Sequence, residues 1–141
     1  MKKKVSLLIG VMAVLGCGHS SDELEPWDIK PNSGNAAPVT IMVIPDSGTD
    51  PEELSAKMGA EKAAADLSKT YGLRINIQWA PPKSNSADSQ ITALSQAEST
   101  KVNGVLLDCI DSKKLDGVID EVSKKIPVMT YDNDAPKSSR F

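Results

Sequence analysis

The sequence predicts an α/β fold, a parallel sheet with helices on both faces in the flavodoxin or Rossmann manner. Three observations carry this. From Val39 onward, apolar runs of strand length alternate with longer segments of helical period. The run Val105-Leu106-Leu107 is wholly apolar, as strands covered on both faces are. Each run ends in turn residues, and the order β-α-β-α-β-α-β implies parallel strands joined by right-handed crossovers. The expected strand order is 2-1-3-4.

Val39, Ile41, Val43 and Ile44, with Thr40 and Met42 between them, predict a first strand that Pro45 ends. Asp46, Ser47, Gly48 and Thr49 are turn residues. Asp50 can cap the helix that follows, and Pro51 fits its first turn. Glu53 completes a capping-box spacing, and Glu52 and Glu53 suit the helix amino terminus electrostatically. Leu54, Met58 and Leu67, with the small Gly59, Ala60, Ala64 and Ala65, predict a face packed on the sheet.

Tyr71-Gly72 stops that helix. Leu73, Ile75, Ile77 and Trp79 alternate with Arg74, Asn76 and Gln78, the pattern of a half-exposed strand. Ala80-Pro81-Pro82 ends it. A second helix starts within residues 84–88, shows Ile91, Leu94 and Ala97 inward, and is expected to end at Asn103-Gly104. Val105-Leu106-Leu107 is the third strand and should be central, with Leu106 fully buried. Leu115, Val118, Ile119 and Val122 recur at the spacing of an amphipathic helix, with Ser112 as a candidate cap. Residues 126–131 read as a fourth strand, and Asp132-Asn133-Asp134 as its exit loop.

The first 16 residues read as a targeting segment. Lys2, Lys3 and Lys4 precede an apolar stretch too short to span a bilayer comfortably. Val14-Leu15-Gly16-Cys17 resembles the bacterial lipobox, in which the cysteine is lipidated and becomes the mature amino terminus. An ordinary secretory signal is the alternative, and either implies export. Residues 17–38 are polar, lack a sustained period and read as a tether. Residues 39–141 form the expected globular unit.

Removing the leader with its three lysines leaves 13 basic against 19 acidic residues, a formal charge of about −6. Nucleic acid is thereby disfavoured as a partner, since phosphate binding needs clustered Lys and Arg. Of two cysteines only Cys109 lies outside the lipobox, so lipidation of Cys17 would preclude an internal disulfide. Cys109 ends an apolar run and reads as a small core residue. The single histidine, His19, falls in the tether, which leaves the globular unit without a histidine base or ligand.

In a parallel sheet the strands' carboxyl ends share one edge, and ligands of open α/β sheets bind there. The first exit loop offers Asp46, Ser47, Thr49 and Asp50. The second offers Trp79 and, further on, Lys83 and Asn85. The third offers Asp108 and Asp111, and the fourth Asp132, Asn133 and Asp134. Such carboxylates, amides and hydroxyls suit a polyhydroxylated ligand. The spacing matches no calcium loop, and no metal or other cofactor is expected.

These pieces together resemble the amino-terminal lobe of the type I periplasmic sugar-binding proteins, the ribose-binding-protein-like substrate-binding components of ABC transporters. The residues that carry the likeness are the apolar first strand, the polar loop with a proline before the helix, and the helix Lys57-Met58-Gly59-Ala60-Glu61-Lys62-Ala63-Ala64. The strand Val102-Asn103-Gly104-Val105-Leu106-Leu107, the Asp111-Ser112 helix start and Ile126-Pro127-Val128-Met129-Thr130-Tyr131-Asp132 complete it. The resemblance implies a lipid-anchored, periplasmic or cell-surface solute binder that works with an ABC permease and takes a sugar or related polyol. It implies ligand contacts from Asp50, Asp108 and Asp132. Glu52 and Glu53 stand where the family commonly has aromatic residues, and Asn133 where arginine is common, which points toward a larger or aminated ligand. The family has two lobes, so this chain is expected to be a truncated part of one binding protein.

A small α/β enzyme and a receiver-like signalling domain are the competing readings. Against an enzyme stand the lack of GxGxxG, P-loop and nucleophile-elbow motifs. Against a receiver stands the export signal, because receiver domains work in the cytoplasm.

Overall fold

A computed structural model of the chain describes residues 37–141. The leader, Cys17 and nearly all of the tether lie outside the described residues. The elements are β1 (Val39–Ile44), α1 (Pro51–Tyr71), β2 (Ile75–Trp79), α2 (Ala87–Gln96), β3 (Gly104–Leu107), α3 (Ser112–Ser123) and β4 (Val128–Thr130). The strands are all parallel in the order β2-β1-β3-β4, as expected.

That order fixes where the helices go. The chain moves one way from β1 to β2 and the other way from β2 to β3 and β4. With right-handed crossovers, α1 therefore takes one face of the sheet, and α2 and α3 take the other. Met42 and Ile44 of β1, Val105 and Leu107 of β3 and Val128 of β4 form the main core with Leu94 of α2 and Leu115, Ile119 and Val122 of α3. Cys109 is buried in the same cluster.

The α1 face differs from expectation. Leu54, Met58 and Leu67 are 46%, 71% and 44% exposed, and the buried residues of the helix are Glu53 and Ala64. Ala64 recurs at helical spacing from Glu53 on the stripe turned toward the sheet, whereas Leu54 stands about 100° further round the axis. Leu106 is likewise only half-buried. It shares the α1 side of the sheet with Ile41 and Met129, where a shallow cavity of about 170 Å³ lies over β3 and β4. Val105 and Leu107, on the other face, are buried.

Smaller differences concern ends. The second helix stops at Gln96 rather than at Asn103-Gly104. Ser112 is the first residue of α3, and Asp111, not Ser112, holds the cap position. β4 is three residues long, because Ile126 still donates to Val122 at the end of α3 and Pro127 has no N–H to give.

Candidate functional site

The carboxyl ends of β1, β3 and β4 converge. β1 and β3 are paired through Ile44 and Leu107. One register step further stand Pro45 and Asp108, where the Asp108 N–H donates to the Ile44 carbonyl at 2.9 Å in the last bond of the ladder. Just beyond it lies Gln90 of α2, fully buried. Its Nε2 donates to the carbonyls of Pro45 (2.9 Å) and Asp108, and its Oε1 accepts from the N–H of Ile110 at 3.0 Å.

After Pro45 the chain turns on Ser47, whose buried Oγ accepts from the N–H groups of Thr49 and Asp50, each at 3.3 Å. Asp50 caps α1 by accepting from the Glu52 N–H at 2.9 Å, as the sequence predicts. Glu53 does not close a capping box, since the Asp50 N–H is taken by Ser47. It turns inward, 6% exposed, and its Oε2 accepts from the Tyr131 hydroxyl at 2.9 Å.

Asp108 is 1% exposed. Its Oδ1 accepts from the Asn133 side chain at 2.9 Å and from the Asn133 backbone N–H at 3.3 Å. Carboxylate oxygens of Asp46, Glu53 and Asp108 all lie within 4.8 Å of one another. Like charges so close, taken out of water, oppose each other's ionisation. Burial, then the bond to Asp108, push Glu53 up to about 7, against the smaller opposing effect of the Tyr131 bond. Burial and Glu53 raise the Tyr131 hydroxyl as well. Burial raises Asp46, helped by the charges of Asp108, Asp50, Asp132 and Glu52.

Asp132 follows the last β3–β4 rung, in which the Tyr131 N–H donates to Leu107 at 3.0 Å. It has φ 53°, a left-handed conformation uncommon outside glycine but tolerated by Asp and Asn. Its side chain is exposed. Asp50 and Asp132, both exposed, thus continue the cluster outward from the half-buried Asp46 as an acidic rim, with Thr49 exposed next to Asp50 in the chain.

Other candidates stand apart. Lys83 lines a separate cavity with Pro81, Pro82 and Thr92. Asp134 is engaged by Arg140, by the Thr130 hydroxyl at 2.6 Å and by the Ala135 N–H at 2.7 Å, and the bond from Arg140 above all holds its carboxyl well below the usual range. A groove of about 540 Å³ runs beside β4 past Tyr131, Asp132 and Arg140 without including Asp46, Asp50 or Asp108.

The periplasmic binding protein domain family matches residues 41–141. The chain belongs to that family. Among solved structures, the XylFII molecule is 26% identical with a TM-score of 0.66, over 75% of this chain and 37% of that one. A carbohydrate transporter solute binding protein from Agrobacterium radiobacter, in complex with D-arabinose, is 28% identical with a TM-score of 0.62, over 74% and 34%. An ABC transporter solute binding protein from Burkholderia graminis, also with D-arabinose, is 24% identical with a TM-score of 0.58 over 72% and 33%, a likeness that shows the fold alone. The chain spans about a third of the length of each of these proteins. Among curated proteins none matches the chain in sequence.

Within this periplasmic binding protein fold, sequence reasoning missed three contributors to the site. Glu53 reads as a helix-end residue, and its partner Tyr131 lies 78 positions away, so no local pattern joins them. Gln90 did leave a signal. It shares the inner stripe of α2 with Ala87 and Leu94, and a polar residue on an apolar stripe needs a buried partner.

Proposed function

We propose that this chain is the solute-capturing part of an ABC import system, and that its ligand is a sugar or related polyol bound at the edge formed by Asp46, Ser47, Thr49, Asp50, Asp108, Asp132 and Asn133. The observation that carries the reading is the convergence of three exit loops, two of which supply an acidic rim, in a chain of the periplasmic binding protein family. The Agrobacterium radiobacter neighbour, 28% identical, holds D-arabinose, which supports a small sugar as the ligand class.

The residues divide the work. Asp46 and Asp132, and Asp50 through the oxygen not used in its cap, present carboxylate oxygens, each able to accept from two hydroxyls. Ser47, Asp108 and Asn133 are engaged with the protein and hold the loops in place. Several carboxylates facing one space are relieved by hydroxyl donors and still more by an ammonium group, so an aminated sugar fits the rim best.

The leader and Cys17 support export and lipid anchoring, with residues 17–38 as tether, residues 39–141 as the binding unit and an ABC permease as partner. The relatives' greater length supports a second lobe that closes over the ligand. Replacing Cys17 by Ser should release the protein from the membrane fraction, and unchanged retention would contradict the anchor. Titrating D-arabinose and D-glucosamine into the chain, alone and joined to any coding sequence that follows codon 141, tests the ligand. Tighter binding of D-glucosamine supports the acidic-rim reading, and binding of neither probe by either form contradicts it.

A further inference from the structure

The geometry points to Gln90 as the positioning residue of the candidate site: its buried amide sets the spacing between the first and third exit loops and so holds Asp108 against Glu53. The inference rests on reading that edge as the binding site. Gln90 touches no ligand position and acts through main-chain atoms.

The β1–β3 ladder ends with the bond from the Asp108 N–H to the Ile44 carbonyl, and just beyond it the carbonyls of Pro45 and Asp108 lie in a buried space. Two carbonyls cannot bond to each other. One primary amide with two N–H groups satisfies both, and its oxygen takes the Ile110 N–H on the far side of Asp108. Asp108 is thereby fixed on both sides, by its own carbonyl and by the second residue after it. The carboxyl of Asp108 then has one direction left, toward Glu53, Asp46 and Asn133. A hydrophobic side chain of equal volume would fill the space and leave both carbonyls unbonded, so the loops would part to reach water.

The charge state of Glu53 reports that spacing. The titratable groups facing it are Asp108, Tyr131 and Asp46, from the exits of β3, β4 and β1. Parting of β1's loop from β3's weakens the mutual suppression of ionisation, and Glu53 then titrates lower.

The test uses the chain without ligand. The carboxyl carbon of Glu53 is followed by NMR through a pH titration in the parent, in Gln90→Met and in Leu94→Ala, a packing control on the same stripe of α2. The parent should titrate near neutrality. Gln90→Met should bring the midpoint down by roughly one pH unit or more, and Leu94→Ala should leave it in place although it loosens the core. If Gln90→Met does not fold, Gln90→Asn keeps a neutral amide but is one methylene too short to reach both carbonyls and the Ile110 N–H together, and should shift the midpoint in the same direction. An unmoved midpoint in a folded Gln90 variant, an equal shift in Leu94→Ala, or an ordinary carboxylate midpoint in the parent would overturn the inference. Because no sugar takes part, none of these results bears on whether the rim binds one.

Discussion

The hydroxyl of Tyr131 donates to Oε2 of Glu53 at 2.9 Å, across 78 residues of sequence. This bond ties the first turn of α1 to the exit of β4, and through Asp108 both are tied to the exit of β3. Tyr131→Phe removes the donor and leaves a buried carboxyl oxygen unmatched. It should cost about 1–3 kcal/mol of stability, measured by denaturant unfolding. It should also raise the Glu53 midpoint further, since the bond favours the ionised form.

Glu53 makes stability pH-dependent with a definite sign. Its folded pKa, about 7, exceeds the ordinary value of 4.5, so the folded chain binds more protons between those pH values than the unfolded one. The contribution from this group is fully present below the ordinary pKa and is lost as pH rises through the folded one. Glu53→Gln keeps the neutral shape, including an acceptor for Tyr131. It should flatten this slope and stabilise the chain by about 1–3 kcal/mol above neutrality, read as a melting-temperature difference. A parent whose stability rises steadily through neutrality would contradict it.

At Asp132 backbone and carboxylate can be separated. Asp132→Gly suits the left-handed conformation and removes only the carboxylate, so stability should hold while sugar binding weakens by about 1.5–3 kcal/mol. Asp132→Ala should lose the same binding and in addition about 1 kcal/mol of stability, because alanine is strained at φ 53°. Calorimetric titration and thermal melts read the two effects independently.

The two faces of the sheet predict unequal costs in β3. Leu107→Ala opens a cavity in a site fully closed to solvent and should cost about 2–5 kcal/mol. Leu106→Ala, on the half-covered face, should cost clearly less in the same unfolding experiment.

Strand order was legible because alternation and right-handed crossovers leave few arrangements for four parallel strands. The main core was legible for a similar reason. Leu115, Ile119 and Val122 keep a helical period, and Val105 and Leu107 sit in an apolar run that strand period divides between two faces. The orientation of α1 was not legible. Its small residues and its leucines and methionine lie at compatible spacings, and only docking decides which stripe faces β2. In the site, Asp50 was legible as a local cap, whereas Glu53 satisfies a local rule on paper and a distant tyrosine in fact. The αL turn at Asp132 leaves no pattern in composition or period.

The reading stands or falls on whether the acidic rim at the ends of β1 and β4 takes a polyol. Amide NMR spectra of the chain, recorded as D-arabinose and then D-glucosamine are added at millimolar concentration, test it most directly. Perturbations should cluster at Asp46, Thr49, Asp50 and Asp132, be larger for D-glucosamine, and be lost in Asp132→Gly. Perturbations confined to the groove past Arg140 or to the cavity at Lys83, or a response that survives Asp132→Gly unchanged, would contradict it.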